Sequence, residues 1–232
     1  MLYFRGCTAR EKESDIQLAT EKLLKLAGVD YHILDDEKCC GSVLLRTGFV
    51  GQAKKQIEKN SSVFKNETIV VSCAGCYKTL KEDYEDIDVI HISQLLSDLI
   101  KDNKLNFSKT DLSVTFHDSC HLARQLKVFS EPRDVIKSVS NLVEMENSHE
   151  NSLCCGAGGG VKSAYPEIAT QMAEQRIKQA KQTDCEILIT TCPFCKINLK
   201  NDDLKVLDLC EFLIEYGGVD EGKWTWNYEK LF

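Results

Sequence analysis

The chain alternates between short unbroken apolar runs and longer stretches in which apolar residues return every three or four positions. Leu2-Tyr3-Phe4 and Thr68-Ile69-Val70-Val71 are runs of the first kind in the amino-terminal half. Ser113-Val114-Thr115-Phe116 and Glu186-Ile187-Leu188-Ile189-Thr190 are their counterparts in the carboxy-terminal half. Their β-branched and aromatic content predicts strands. Between the first pair, Ile16, Ala19, Leu23 and Leu26 keep helical spacing, with Ser14 and Gln17 offering a capping box and Gly28 a stop. Between the second pair, Ala169, Ala173, Ile177 and Ala180 mark one face of a helix that Pro166 can open. Strands alternating with helices of this length read as βαβ units around a parallel sheet. The expected fold is α/β: two small pseudo-symmetric α/β lobes, each with its own parallel sheet. The polar stretch from Lys101 to Asp111 is the linker candidate, dividing the chain into residues 1–104 and 105–232. The second part ends in a tail carrying Trp224, Trp226, Tyr228 and Phe232, an aromatic density that favours an interface.

Length and charge narrow the field. The 232 residues can bury a sizeable core as one large or two small domains. A formal net charge of −7 argues against nucleic acid as the main partner, since phosphate binding needs clustered Lys and Arg. No apolar run approaches the roughly 20 residues that cross a bilayer. The opening Met1-Leu2-Tyr3-Phe4-Arg5 is too short for a signal peptide. The expectation is a cytoplasmic protein, at most peripheral to a membrane complex. In that compartment disulfides are disfavoured, and grouped cysteines bind metal or do redox work.

Ten of the twelve cysteines form two copies of one five-cysteine pattern. The first is Cys7, the pair Cys39-Cys40 followed by Gly41, then Cys73-Ala74-Gly75-Cys76. The second is Cys120, the pair Cys154-Cys155 followed by Gly156, then Cys192-Pro193-Phe194-Cys195. Matching cysteines are offset by 113, 115, 115, 119 and 119 residues, so order and spacing both repeat. Cys7, Cys73, Cys120 and Cys192 each fall just beyond a predicted strand, where open α/β sheets gather their ligands. Helices beginning after the Cys-x-x-Cys pairs, and the run from Gly156 to Gly160, would offer backbone N–H groups to offset thiolate charge.

Thiolates are soft donors that select iron or zinc, and Fe–S clusters typically take four. Five per set, two of them adjacent in sequence, exceed a simple cubane or a tetrahedral zinc. Adjacent cysteines do not easily chelate one metal atom, but they reach two different irons or bridge them. The pattern favours an unusual multi-iron cluster; zinc in one or both sites and a thioredoxin-like dithiol at Cys192-Pro193-Phe194-Cys195 remain alternatives. Cys185 and Cys210 lie outside both sets and read as small buried hydrophobes.

At these residues the chain resembles the cysteine-rich CCG-domain family and, within it, the catalytic subunits of heterodisulfide reductase. The family signature is a cysteine, a long gap, Cys-Cys-Gly, a gap in the mid-thirties, and Cys-x-x-Cys. Here the gaps are 31 and 32 residues in the first copy and 33 and 36 in the second. The likeness extends to Arg46-Thr47-Gly48, Cys76-Tyr77-Lys78, His91-Ile92-Ser93, His117-Asp118 and Cys120-His121-Leu122, ending near Gly217. It implies two noncubane [4Fe-4S] clusters. One would be held by Cys7, Cys39, Cys40, Cys73 and Cys76, the other by Cys120, Cys154, Cys155, Cys192 and Cys195. It further implies cleavage of a disulfide, in methanogenesis that of coenzyme M with coenzyme B, by single-electron transfers. The same domain pair occurs in lactate and glycolate oxidation, fumarate reduction and sulfur oxidation, where it relays electrons or handles other sulfur substrates. A zinc-bearing scaffold without enzyme activity is the reading from a different class. Some relatives carry a ferredoxin-like run that this chain lacks. An iron–sulfur electron-donor subunit in a multi-subunit complex is therefore the expected partner.

Other residues near the motifs add candidates. An anionic substrate needs cations, and Arg46, Lys78, Arg124, Lys162 and Lys196 lie close to motif cysteines; each is equally readable as a solvated surface charge. His117 and His121 flank Cys120, with roles as proton donors to a leaving thiolate, as partners of a cluster sulfur, or as core residues. His121 is the preferred catalytic candidate. The glycine run lacks the G-x-G-x-x-G spacing, which argues against a nucleotide loop.

Overall fold

A computed structural model describes residues 1–64 and 66–218. The aromatic tail lies outside the described residues. The four apolar runs are strands, joined by three that the sequence pattern did not single out. In the first half, β1 (Leu2–Phe4), β2 (Ile69–Val71) and β3 (Val89–His91) form a parallel sheet in that order. In the second, β4 (Ser113–His117), β5 (Asn141–Val143), β6 (Ile187–Thr190) and β7 (Lys205–Asp208) form a parallel sheet ordered β5-β4-β6-β7. A single parallel bridge from Leu2 to His32 stands where β5 stands in the other sheet. The three strands β1, β2 and β3 therefore match β4, β6 and β7 in order, with the bridge at His32 in the place of β5. The strands of the first sheet are only three residues long, and β1 and β2 are buried at every position. Such runs suit a parallel sheet covered on both faces.

Helices cover both faces, and two of them tie the lobes together. The helix Ile92–Lys101 packs on Ser130–Val139, and Leu209–Tyr216 packs on Ser14–Leu26. Each pairing crosses from one half to the other. Tyr3 and Val70 of the first sheet share one apolar cluster with Val114, Phe116, Ile187 and Ile189 of the second. The opposite sheet faces, through Leu2, Phe4, Val71 and Leu188, join a second cluster that contains six of the ten motif cysteines, with Cys39 packed against it. Two sheets thus share one continuous interior.

Local signals explain most boundaries. Pro166 opens the helix Pro166–Lys181, which buries Ala169, Ala173 and Ala180. Gly28, at φ 65°, follows the helix that Ala27 caps. The capping box expected at Ser14 and Gln17 is not formed. A preceding helix, Cys7–Lys12, abuts this one, Glu13 is the cap residue, and Gln17 turns instead to Glu21 at 3.0 Å. Reciprocal boxes form at His91 with Gln94 and at Asp208 with Glu211. Among the described residues no helix is long and apolar enough to cross a membrane.

One ion-pair network fixes the chain just beyond β4. Asp118 is buried and takes both terminal nitrogens of Arg133 at 2.8 Å, while Arg133 also reaches Glu144 at 2.6 and 2.9 Å. The same carboxylate accepts the backbone N–H of His149 at 2.8 Å, and the Asp118 carbonyl accepts the Ser152 hydroxyl at 3.2 Å. The turn before Cys120 and the segment before Cys154 are thereby held to each other. Arg133→Met leaves Asp118 buried without a cation, a loss of about 3–5 kcal/mol. Urea denaturation at unchanged m measures it, and adding Asp118→Asn recovers part of the loss.

Candidate metal centre

Register brings the cysteines to one level. Phe4 pairs with Val71 and His117 with Thr190, so adjacent strands end together in each lobe and release Cys7 beside Cys73, Cys120 beside Cys192. Cys73 is extended and precedes the helix Ala74–Glu82, whose first turn contains Cys76. Cys192 does the same for Pro193–Leu199, which contains Cys195. Two residues in the left-handed region shape the paired-cysteine loops: Gly41 at φ 88° and Gly156 at φ 84°. Their N–H groups donate to the sulfurs of Cys39 and Cys154, each at 3.4 Å. A Cβ at Gly156 would also lie 2.6 Å from the Ala169 carbonyl oxygen, so only glycine fits.

The ten sulfurs make a continuous series of contacts. In the first set Cys7 meets Cys39 at 3.5 Å, Cys39 meets Cys40, Cys40 meets Cys76, and Cys76 meets Cys73. In the second, Cys120 meets Cys154, Cys154 meets Cys155, Cys155 meets Cys195, and Cys195 meets Cys192. Cys73 and Cys192 then touch each other, joining the sets across the lobe boundary. The order is the same read from either end. All ten line one cavity of about 440 Å³.

Charge is shared unevenly along this series. Cys40 is pushed down to about 5 by hydrogen bonds from the Cys39 and Cys76 thiols, and Cys154 to about 2 by those from Cys120 and Cys155. Cys73 is held well below a thiol's ordinary value by Cys192 and Cys76, helped by the N–H groups of Cys76 and Gly75. Their direct partners move the other way, Cys120 through Cys154 and Cys76 through Cys40, and Cys7 and Cys195 are raised through Cys39 and Cys155, which are raised themselves. Some thiols keep protons so that neighbours can ionise. Full ionisation requires positive charge inside the cavity, which is what a thiolate-bound metal supplies. None of the cysteines is in a disulfide. The donor set fits soft metal ions.

The remaining candidates are spread more widely. His121 lines the cavity, and burial, followed by the Arg46 and Lys78 charges, draws its pKa below the ordinary value. Arg46 lines the cavity and pairs with Asp83 at 3.5 Å. Lys78 pairs with Glu82 one helical turn on and is not part of the lining. Arg124 donates to the carbonyls of Glu150 and Ser152. Lys196 is held by Glu13 and Glu211, each at 2.6 Å, and so bridges the halves. Lys162 sits in the short helix Val161–Ala164, whose Val161, Ser163 and Ala164 line the cavity. Cys185 and Cys210 are buried away from it.

Two residues at this centre lay outside the sequence reading. Glu37 is a buried carboxylate that accepts the N–H groups of Arg5 and Gly6 at 3.0 and 2.9 Å, fixing the turn into Cys7. Arg176 is fully buried and donates through Nε to His117 Nδ1 at 3.0 Å. Its signal was present: Arg176 falls on the same helix face as Ala173 and Ala180, where a charge needs a buried partner. His117 in turn has a ring nitrogen within 4.8 Å of the sulfurs of Cys155 and Cys195. Burial pushes its pKa down to about 3.

Comparison with known proteins agrees with this centre. The family model of the cysteine-rich (CCG) domain matches residues 1–81 and again 114–200. One subunit of the dihydromethanophenazine:CoB–CoM heterodisulfide reductase of Methanosarcina acetivorans is 40% identical over 88% of this chain and 55% of its own length. One subunit of the CoM/CoB-dependent fumarate reductase of Methanothermobacter marburgensis is 35% identical over 91% of this chain and 45% of its own. EtfAB:quinone oxidoreductase of Syntrophomonas wolfei is 30% identical over 91% and 34% respectively. The chain thus spans about half, or less, of the length of these curated relatives.

The contact series predicts how metal is lost. Cys155→Ala removes about half of the bound metal, because the first set keeps all five sulfurs. Cys73→Ala, at the junction, also perturbs the second site. Elemental analysis and visible spectra of anaerobically prepared variants distinguish the two, and full metal retention in both breaks the ligand assignment.

Proposed function

The chain belongs to the cysteine-rich CCG-domain family, and from that premise we propose that it is an iron–sulfur oxidoreductase subunit that reduces a disulfide. The observation that carries this reading is the single cavity lined by both five-cysteine sets, whose walls meet at Cys73 and Cys192. A substrate in that space faces both. Cys7, Cys39, Cys40, Cys73 and Cys76 would hold one noncubane [4Fe-4S] cluster, and Cys120, Cys154, Cys155, Cys192 and Cys195 the other. When bound, two such groups supply one electron each, which matches the two electrons and two protons that turn a disulfide into two thiols.

The protein's own residues bind, protonate and enclose. Arg46, on the cavity wall, is the cation placed to orient an anionic substrate such as a thiol coenzyme carrying sulfonate or phosphate. His121, on the same wall, is the group placed to pass a proton from its ring nitrogen to a leaving thiolate. Gly159, Gly160, Val161 and Tyr165 of the second lobe line the same cavity as Cys7, Thr8 and Val43 of the first, so both lobes shape the space around the sulfurs. The relatives named as subunits support a multi-subunit complex, in which an iron–sulfur partner feeds electrons to this chain in the cytoplasm. The likeness to fumarate reductase and to EtfAB:quinone oxidoreductase supports a second reading, in which the centre relays electrons without handling a disulfide.

Anaerobically purified protein is expected to be brown, with about eight irons per chain. With a reduced viologen as donor it is expected to consume the coenzyme M–coenzyme B disulfide faster than simple alkyl disulfides. Viologen oxidation that ignores every disulfide but needs a downstream acceptor favours the relay. A colourless protein with stoichiometric zinc overturns both.

A further inference from the structure

The match of β1, β2 and β3 to β4, β6 and β7 makes the chemical differences between the lobes easy to locate. Phe4 pairs with Val71, two residues before Cys73; His117 pairs with Thr190, two residues before Cys192. Each also stands three residues before the first cysteine of its set. Phe4 and His117 hold the same structural position, and both are buried. One lobe presents a hydrocarbon ring there, the other an imidazole.

The proton on that imidazole is assigned by its neighbour. Arg176 Nε donates to His117 Nδ1 at 3.0 Å. A guanidinium only donates, and it keeps its proton in proteins. Nδ1 therefore carries the lone pair and Nε2 the hydrogen. Nε2 is buried and has no hydrogen-bond partner among the described residues, and a ring nitrogen of His117 lies within 4.8 Å of the sulfurs of Cys155 and Cys195. The same contact excludes His117 as a metal ligand. Ligation through Nε2 would move the proton to Nδ1, setting it against the Arg176 N–H, and ligation through Nδ1 would displace Arg176 altogether.

Arg176 contributes charge as well. Its other hydrogen bonds go to the carbonyls of Asn147 at 2.7 Å and Phe116 at 3.5 Å and to Gln179 Oε1 at 2.8 Å, with no carboxylate accepting from it among the described residues. A neutral amide holds the paired-cysteine backbone in both lobes, Asn60 donating to the Cys39 carbonyl at 2.9 Å and Asn198 to the Cys155 carbonyl at 2.5 Å, so the buried guanidinium is an addition particular to the second lobe. The buried charge of the first lobe is the anionic Glu37, which Arg5 and Arg10 neutralise.

We propose that His117 donates its Nε2–H to sulfur at the second-lobe site and, backed by the buried Arg176 charge, holds that site at a higher reduction potential than its twin. The inference rests on the iron–sulfur reading above. A reduced cluster carries one more negative charge than the oxidised one, and an N–H dipole with a buried cation stabilises that charge. His117 is thus a positioning and tuning residue. An electron shared by the two sites settles on the second lobe, leaving the first lobe as the stronger reductant. The centre is polarised although its ligand sets are copies.

Anaerobic redox titration followed by electron paramagnetic resonance, with iron assayed on the same samples, tests this. Wild type is expected to titrate in two separated steps, and His117→Phe, which copies the first lobe, to lower only the higher one towards the other. His117→Gln retains an N–H donor and is expected to restore most of the separation with iron content unchanged. Unmoved steps in His117→Phe, equal shifts in both, or loss of half the iron in His117→Gln overturn the proposal. Iron-free wild type defeats the iron–sulfur reading instead, and the two failures are distinct. If His117→Phe does not fold, ¹⁵N NMR of wild-type protein without iron gives the tautomer directly. A protonated Nε2 with a bare Nδ1 is the expected result, and a protonated Nδ1 overturns the donor assignment.

Discussion

Ten sulfurs confined to one cavity are a problem of charge before they are a problem of chemistry. Thiolates repel one another, and in a low-dielectric interior nothing screens them. The fold answers with what a parallel α/β sheet already provides, because strand ends stop at one level and helices begin there. Cys73 takes two N–H groups from the helix it precedes, and Cys39 and Cys154 each take one from a glycine in the left-handed region. Protons retained on neighbouring thiols do the rest until metal arrives. That is why six of the ten motif cysteines follow the ends of β1, β2, β4 and β6, while the two Cys-Cys pairs come in on loops shaped by glycine.

The shared interior follows from the same constraint. Each lobe supplies half of the cavity wall, so the sets can meet only if the sheets are locked together. Helices exchanged across the boundary perform this, and Lys196 adds a partly buried clamp between Glu13 of the first half and Glu211 of the second. A lysine beside Cys195 looks from its place in the chain like a substrate cation. In three dimensions its charge is already matched by two carboxylates. Arg124 is similar, its guanidinium committed to the carbonyls that lead into Cys154.

Much of this was legible in the chain because the signals were local and repeated. Strands of three to five apolar residues, Pro166 at a helix start and the doubled cysteine spacing all survive without tertiary context. The capping box at Ser14 failed because a preceding helix took the place where a cap would form, which short-range pattern does not reveal. The contact between Cys73 and Cys192 was invisible for a different reason: it lies between residues 119 apart and depends on how two sheets face each other. Glu37 looked like one more surface acid. Only burial separates it from Asp35 and Asp36, its exposed neighbours.

Duplication explains the ligands, but it does not explain Arg176. A buried guanidinium to which no carboxylate is hydrogen-bonded is costly in any core, even with the charges of Asp118 and Glu144 nearby. Both lobes already hold their paired cysteines with a neutral amide, Asn60 in one and Asn198 in the other, so copying the ligand loop does not require the guanidinium. The charge becomes reasonable when the centre itself is a further anion it faces, since the thiolate-bound group then adds to the distant carboxylates. His117 transmits that field to the sulfurs through a ring whose proton the arginine has fixed. On this view the departure from symmetry at Phe4 and His117 gives two copied sites unequal places in one electron path.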